Sequence, residues 1–205
     1  MEDNIQLLIE AMNFATIKHK MQKRKTGESY IIHPVEVCKI LKDAGITDVK
    51  ILCGALLHDT VEDTDTTFEE IEEKFGKEIA DYVREATDDR TVNKYMRKKQ
   101  QVEKVQKASF GGKMIKVGDK IHNVSCLVNT IPCPFTPYTN AQGYIVWCKK
   151  VVDQARGLNP ILDKQFDDLL KQEIVMEDGK KYPAFPEGDF EEELEKYYQS
   201  IQPKN

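Results

Sequence analysis

The sequence predicts an all-α protein, a helical bundle of irregular topology. Three observations carry this expectation. Apolar residues recur at spacings of three and four through nearly every segment, the period of one helix face. Helix starts and stops punctuate those segments: Pro34, Asp48 and Thr66 at beginnings, Gly45 and Gly76 at ends. Strand evidence is negligible, with only "EDGKKYP" reading as a turn or short hairpin.

The elements follow in chain order. Ile5, Leu8, Ile9, Met12 and Ala15 form an apolar stripe on a first helix, which runs into the basic stretch "KHKMQKRKTGESY" with a turn at Gly27. A second helix starts near "HPVEVCKILKDAG", where Pro34 suits the first helical position and Gly45 the stop. "TDVKILCGALLHD" is a third, capped by Thr47 or Asp48, and its apolar body places it centrally. "TTFEEIEEKFGKEIADYVREATDD" opens on a capping box of Thr66 with Glu69, and Gly76 divides it. The very polar helix "VNKYMRKKQQVEKVQKA" precedes a loop, "SFGG". In "KMIKVGDKIHNVSCLVNTI", Met114, Val117, Ile121, Val124 and Leu127 share one face. "PCPFTPY" is a proline-punctuated loop. "AQGYIVWCKKVVDQARGL" is a helix with Ile145, Cys148, Val151 and Val152 inward. Beyond Asn159 come an amphipathic helix, "PILDKQFDDLLKQEI", and a final surface helix, "FEEELEKYYQSI". The expected organisation is one principal unit over residues 1–160 and a C-terminal helical extension over 161–205.

Composition excludes several function classes. A chain of 205 residues, 40% hydrophobic and 32% charged, can bury a real core and remain soluble. The net charge of −5, with no recognition motif, argues against a nucleic-acid partner. No apolar run approaches the roughly 18 residues of a membrane span, and the N-terminus lacks a signal-peptide pattern. Cys38, Cys53, Cys126, Cys133 and Cys148 are scattered and never form a C-x-x-C pair. A cytoplasmic location is therefore expected and a cysteine zinc site is not.

The chemistry concentrates in a few ionisable residues at improbable places. His33 begins one helix, His58-Asp59 ends a mostly apolar one, and Asp119 interrupts the apolar pattern "MIKVGDKIHNV". Any one of them alone reads as a cap or a core hydrogen-bonder. Charges flanked by core positions are costly unless paired or bound to a cation. Two imidazoles and two carboxylates suit Mn²⁺, with Fe²⁺ and Zn²⁺ as alternatives. Such an ion acidifies a bound water and neutralises phosphoryl oxygens. Glu62 and Asp63 follow His58 and Asp59 at i+4, so a continuing helix sets them one turn beyond on the same side. They are the candidate catalytic pair, one to take a proton from water and one to hold it in line.

"YIIHP", "ALLHDTVEDT" and "IKVGDKIHN", in this order, resemble the HD-domain metal-dependent phosphohydrolases. More narrowly, they resemble the hydrolase domain of the RelA/SpoT alarmone enzymes and its small single-domain branch, which includes the metazoan SpoT homologues. The resemblance implies an HD-domain helical bundle with a metal set of His33, His58, Asp59 and Asp119 and catalytic acids Glu62 and Asp63. It implies substrate contacts from Arg24 and Lys25 of "KRK", Lys94 with Arg90 assisting, Asn123, and Tyr144 beside Trp147. The implied reaction is Mn²⁺-dependent removal of the 3′-pyrophosphate from guanosine 3′,5′-bis(diphosphate) or its pentaphosphate relative. A guanine nucleotide is then the partner, and GDP or GTP and pyrophosphate the products. The physical reading is compatible: an acidic protein needs local Arg and Lys to hold a nucleotide carrying two pyrophosphates.

Some residues depart from the family pattern. Ile32 precedes the first histidine where a polar residue is frequent, and Gly118 stands where alanine is usual. "TIPCPFTPYTNAQ" differs in spacing from the family's loop, and the tail from residue 161 has no counterpart. Two other readings stay open. One is a 2′-phosphatase of NADPH, or another nucleotide phosphohydrolase, on the same site. The other is a non-catalytic regulatory HD protein whose acidic C-terminal helix meets a partner.

Overall fold

A computed structural model describes residues 2–203; Met1 and the last two residues of the 161–205 extension lie outside the described residues. Among the described residues the architecture is all-α apart from one small hairpin. Its centre is α3 (Val49–Leu57), whose sequence leaves no polar face: Ile51 to Leu57 are all buried. Asp48 starts it by accepting a hydrogen bond from the Lys50 amide at 2.8 Å.

Because α3 is apolar all round, it serves two cores. Ile51, Leu52 and Ala55 join the larger one, with α2 (Ile32–Asp43), α8 (Phe110–Asn129) and α9 (Tyr138–Val152). Cys53, Leu56 and Leu57 join a smaller one, with α1 (Glu2–Lys18), α5 (Phe68–Phe75) and α6 (Lys77–Ala86). α1 does not meet the core with the stripe its sequence suggests. Ala11 and Ala15 are buried, flanked by Leu7, Leu8 and Phe14, while Ile5, Ile9 and Met12 are exposed. Two alanines four residues apart allow a close approach to α3, and that smaller face wins over the larger side chains.

Two other local expectations shift. The cap of α5 is Thr67, which accepts from the Glu70 amide at 3.2 Å, one residue beyond the expected pair. Thr66 is buried instead and shares a hydrogen bond with Thr64. "SFGG" is not a loop. Ser109 caps α8 and accepts from the Gly112 amide, so Gly111 and Gly112 fall in the first helical turn. A Cβ at Gly111 would lie 2.5 Å from the Tyr82 ring, so glycine there is what lets α8 approach α6. Gly76, at φ +84°, separates α5 from α6 as expected.

α7 (Lys94–Lys107) starts at an Asn93 cap. After α9, a 3₁₀ turn (Asp153–Ala155) leads to α10 (Pro160–Leu170). The "EDGKKYP" region is the expected hairpin: β1 (Glu173–Val175) pairs antiparallel with β2 (Lys181–Pro183), Ile174 opposite Tyr182. α11 (Phe190–Ser200) is not a surface helix. Leu194, Tyr197 and Tyr198 are buried, packed with the larger core, because "LEKYY" puts three large side chains on one face. All five cysteines are free. Among the described residues no helix is long and apolar enough to cross a membrane.

Candidate active site

Three elements converge on one buried cluster. His33 sits in the first turn of α2, fixed by its amide's hydrogen bond to the Tyr30 carbonyl (2.9 Å). His58 terminates α3, and Asp59 leads into a short helix, α4 (Thr60–Asp63). Asp119 lies midway along α8. The chain is not one continuous helix through 58–63, but His58 and Asp59 keep near-helical backbone angles. The Asp63 amide still bonds the Asp59 carbonyl at 2.9 Å, so Glu62 and Asp63 stand one turn on, as expected.

The distances are those of a candidate cation site. One ligand atom each from His33, His58 and Asp119 lies within 4.8 Å of the others. His33 Nε2 is 3.3 Å from Asp119 Oδ1 and 3.4 Å from Asp59 Oδ2, and His58 Nε2 is 3.2 Å from Asp59 Oδ2. His58 Nδ1–H donates to the Ala55 carbonyl at 2.8 Å, which leaves the Nε2 lone pair free. That Nε2 is fully buried with no hydrogen-bond partner among the described residues. A buried, bare imidazole nitrogen beside two carboxylates fits a divalent ion, whose charge would satisfy all three.

The surrounding groups hold these side chains in place. His33 Nδ1 shares a 2.6 Å hydrogen bond with His122 Nδ1. Burial, with His33 and Arg24 nearby, lowers His122 to about 3 and keeps it neutral. The Tyr30 hydroxyl donates to Asp59 Oδ2 at 2.7 Å. Lys120 Nζ lies 2.8 Å from Asp119 Oδ2, with Lys116 Nζ at 3.8 Å, and both lysines are buried. Burial opposes the charge of Asp119, but Lys120 and His33 hold its carboxyl well below the usual range.

The two acids of α4 are restrained separately. Glu62 Oε2 accepts from the Asp88 amide at 2.9 Å, and burial raises its carboxyl above the ordinary value against the pull of Lys116. Asp63 accepts from Gln22 Nε2 at 3.0 Å. Arg90 does not line the cleft with Lys25 and Lys94; its guanidinium pairs with Asp63 and reaches Glu62 Oε1 at 3.5 Å.

Two adjoining cavities open beside the cluster. One, of about 250 Å³, is lined by Arg24, Tyr30, Asn123 and Cys126 among others. The second, of about 500 Å³, is lined by Lys94, Lys98 and Tyr197; Lys25, Phe135 and Tyr144 line both. The expected substrate residues thus share one cleft. Asn123 is tied to Asp119 through its Nδ2 and accepts from Arg24 at 3.4 Å, so it links the cleft to the candidate metal ligands. Lys25 Nζ sits 4.0 Å from the Phe135 ring centre. Trp147 is fully buried in the core, yet its face carries Lys98 Nζ at 3.4 Å and Lys120 Nζ at 4.6 Å. Burial and the neighbouring Lys120 lower Lys98 to about 7.

Lys98, Lys116, Lys120, Tyr30, Gln22 and Tyr197 have no place in the sequence-level site. Lys116 and Lys120 carry a signal, since both interrupt the same apolar pattern as Asp119. Lys98 carries none, being one of many lysines on a polar helix.

The HD-domain family profile matches residues 11–134, a span holding all four candidate ligands and both acids. The chain belongs to the HD-domain family. Among curated relatives of this HD protein is the guanosine-3′,5′-bis(diphosphate) 3′-pyrophosphohydrolase MESH1 of Xenopus tropicalis, 43% identical over 178 residues. The match covers 85% of this chain and 99% of that one. The Homo sapiens protein of the same name is 44% identical, over 80% of this chain and 93% of its own. A solved structure described as a metazoan ortholog of SpoT that hydrolyzes ppGpp and plays a role in starvation responses superposes with a TM-score of 0.75. It is 41% identical and covers 80% of this chain and 93% of its own. The all-α HD fold expected from the sequence is therefore the fold observed.

Proposed function

We propose that this HD protein hydrolyses guanosine 3′,5′-bis(diphosphate) to GDP and pyrophosphate. The observation that carries the reading is the bare His58 Nε2 beside Asp59, one turn before Glu62 and Asp63 and next to a lysine-lined cleft. Relatives over 40% identical that carry this activity in their names support it. His33, His58, Asp59 and Asp119 would hold the divalent ion, with Mn²⁺ best suited to the mixed donors. When bound, that ion supplies acidification of water and neutralisation of phosphoryl charge.

The chain's own residues do the rest. Glu62, half-buried and raised in pKa, takes a proton from the attacking water. Asp63, fixed by Gln22 and Arg90, orients the same water. The water oxygen bonds to the phosphorus attached to the 3′ oxygen. The P–O3′ bond breaks with its electron pair on the 3′ oxygen, which is then protonated, and pyrophosphate departs. Arg24, Lys25, Lys94, Asn123 and Tyr144 bind the nucleotide so that its 3′ end meets the acids.

The test is pyrophosphate release from the alarmone by purified protein loaded with Mn²⁺, with NADPH and a deoxynucleoside triphosphate alongside. Turnover of the alarmone far above the other two is expected. No release from the alarmone overturns the proposal.

A further inference from the structure

The C-terminal tail reaches the cleft. The 500 Å³ cavity holding Lys25, Lys94 and Lys98 is completed by Tyr197, Ser200 and Ile201 from the end of α11. The seat of α11 is specific. Tyr197 lies over Gly143 of α9, where an added Cβ would come 2.7 Å from its ring. Gly143 adjoins Tyr144, so the residue that admits α11 neighbours the tyrosine facing the cleft.

The hairpin supports the same region from another side. The Cys133 amide donates to the Val175 carbonyl at 2.8 Å, and Gln142 Nε2 donates to the Pro183 carbonyl at 2.8 Å. The Tyr138 and Tyr182 rings stack at 3.7 Å. Between Cys133 and Tyr138 lie Pro134, Phe135 and Thr136, all lining the cavity. The Xenopus relative aligns over 99% of itself but only 85% of this chain, so about 15% of this chain has no counterpart in it.

We propose that the hairpin and α11 are part of the nucleotide site. They form and hold the wall around the phosphorylated end remote from the reaction, with Ser200 and Ile201 as specificity-determining contacts. The cavity contains none of the candidate metal ligands, and its lysines call for an anion such as the 5′-diphosphate of a nucleoside. Three acids of α11, Glu191, Glu192 and Glu193, occupy its first turn, and the side chains it brings to the cavity, Tyr197, Ser200 and Ile201, are uncharged. Its last carbonyls are taken up within the helix end, that of Tyr197 by Ser200 Oγ at 2.7 Å.

The inference rests on the nucleotide reading of the cleft, and a charge-reversal pair at a half-buried position tests it. GDP binding to the Mn²⁺-loaded full chain is measured by calorimetry for wild type, Ile201→Glu and Ile201→Lys. One added charge beside the phosphates should weaken GDP about five- to tenfold in Ile201→Glu and leave it equal or tighter in Ile201→Lys. In turnover of the alarmone, the same opposition should fall on KM rather than on kcat. A merely structural role moves both variants the same way, and that result, or no GDP binding by wild type, overturns the inference. Pyrophosphate release by wild type judges the proposed reaction separately, because GDP binding needs no turnover.

Discussion

Gln22 holds Asp63 by a 3.0 Å hydrogen bond from Nε2, and the orientation of its amide is itself fixed. The Gln22 carbonyl oxygen lies 2.7 Å from Nδ1 of the buried His19, which makes Nδ1–H the donor and turns the NH₂ group to the acid. Gln22→Leu removes a hydrogen bond to a charged group, about 1.5 to 3 kcal/mol if it is felt only in the transition state. Steady-state kinetics should show kcat down by about ten- to a hundredfold with KM little changed. A loss confined to KM would separate Gln22 from the chemistry.

Glu62→Gln and Asp63→Asn keep shape and remove charge. Each should lower kcat by about 10² to 10⁴. Metal content, read by mass spectrometry, should stay at wild-type level. Arg90→Ala frees both acids and should cost less than either, since the carboxylates survive. Loss of metal in the Glu62 or Asp63 variant would recast these residues as ligands.

Removing the ion should destabilise without unfolding. A ligand at a hundred times its Kd adds about 2.7 kcal/mol, which for a chain of this size is on the order of 5 to 10 °C in Tm. A chelator should lower Tm by that amount, and Mn²⁺, Fe²⁺ or Zn²⁺ should restore it. In His58→Ala, which lacks the bare nitrogen, neither addition nor chelation should shift Tm.

Lys98 gives the cleft a pH dependence. It faces Lys120 and Lys116 of α8, Asp88 of the α6–α7 connection, and Tyr144, Trp147 and Cys148 of α9. With its pKa lowered to about 7, it is charged below that pH and neutral above it. KM for the nucleotide should therefore rise about three- to tenfold between pH 6.5 and 8.5 as a phosphate contact is lost. Lys98→Arg stays charged throughout and should flatten the profile. An equally steep profile in that variant removes Lys98 from binding.

Most of the fold and the clustering of the candidate ligands are legible in the sequence, for different reasons. Helices such as α3 and α8 show themselves because burial imposes a period. His33, His58, Asp59 and Asp119 show themselves because a charge among core positions needs a partner or a cation. The face of α1 is not legible that way, because periodicity ranks side chains by size while close packing on α3 favours Ala11 and Ala15. The burial of α11 is masked because its acidic first turn hides the Leu194, Tyr197 and Tyr198 face. Arg90 reads as a phosphate cation because spacing along a loop does not say which anion an arginine reaches. Gln22 and Lys98 depend on tertiary neighbours and leave no local pattern at all.

Lys116 and Lys120 bear on how the fold carries its buried acids without any ion. Small metal-nucleated folds stay unfolded until the ion arrives, because nothing else offsets their clustered ligands. Here two buried ammonium groups already stand against Asp119, and Lys116 also pulls on Asp88 and Glu62. The acids are provisioned with counter-charge from within one helix. The counter-charge these acids need is thus built into the fold itself and does not wait on a cation.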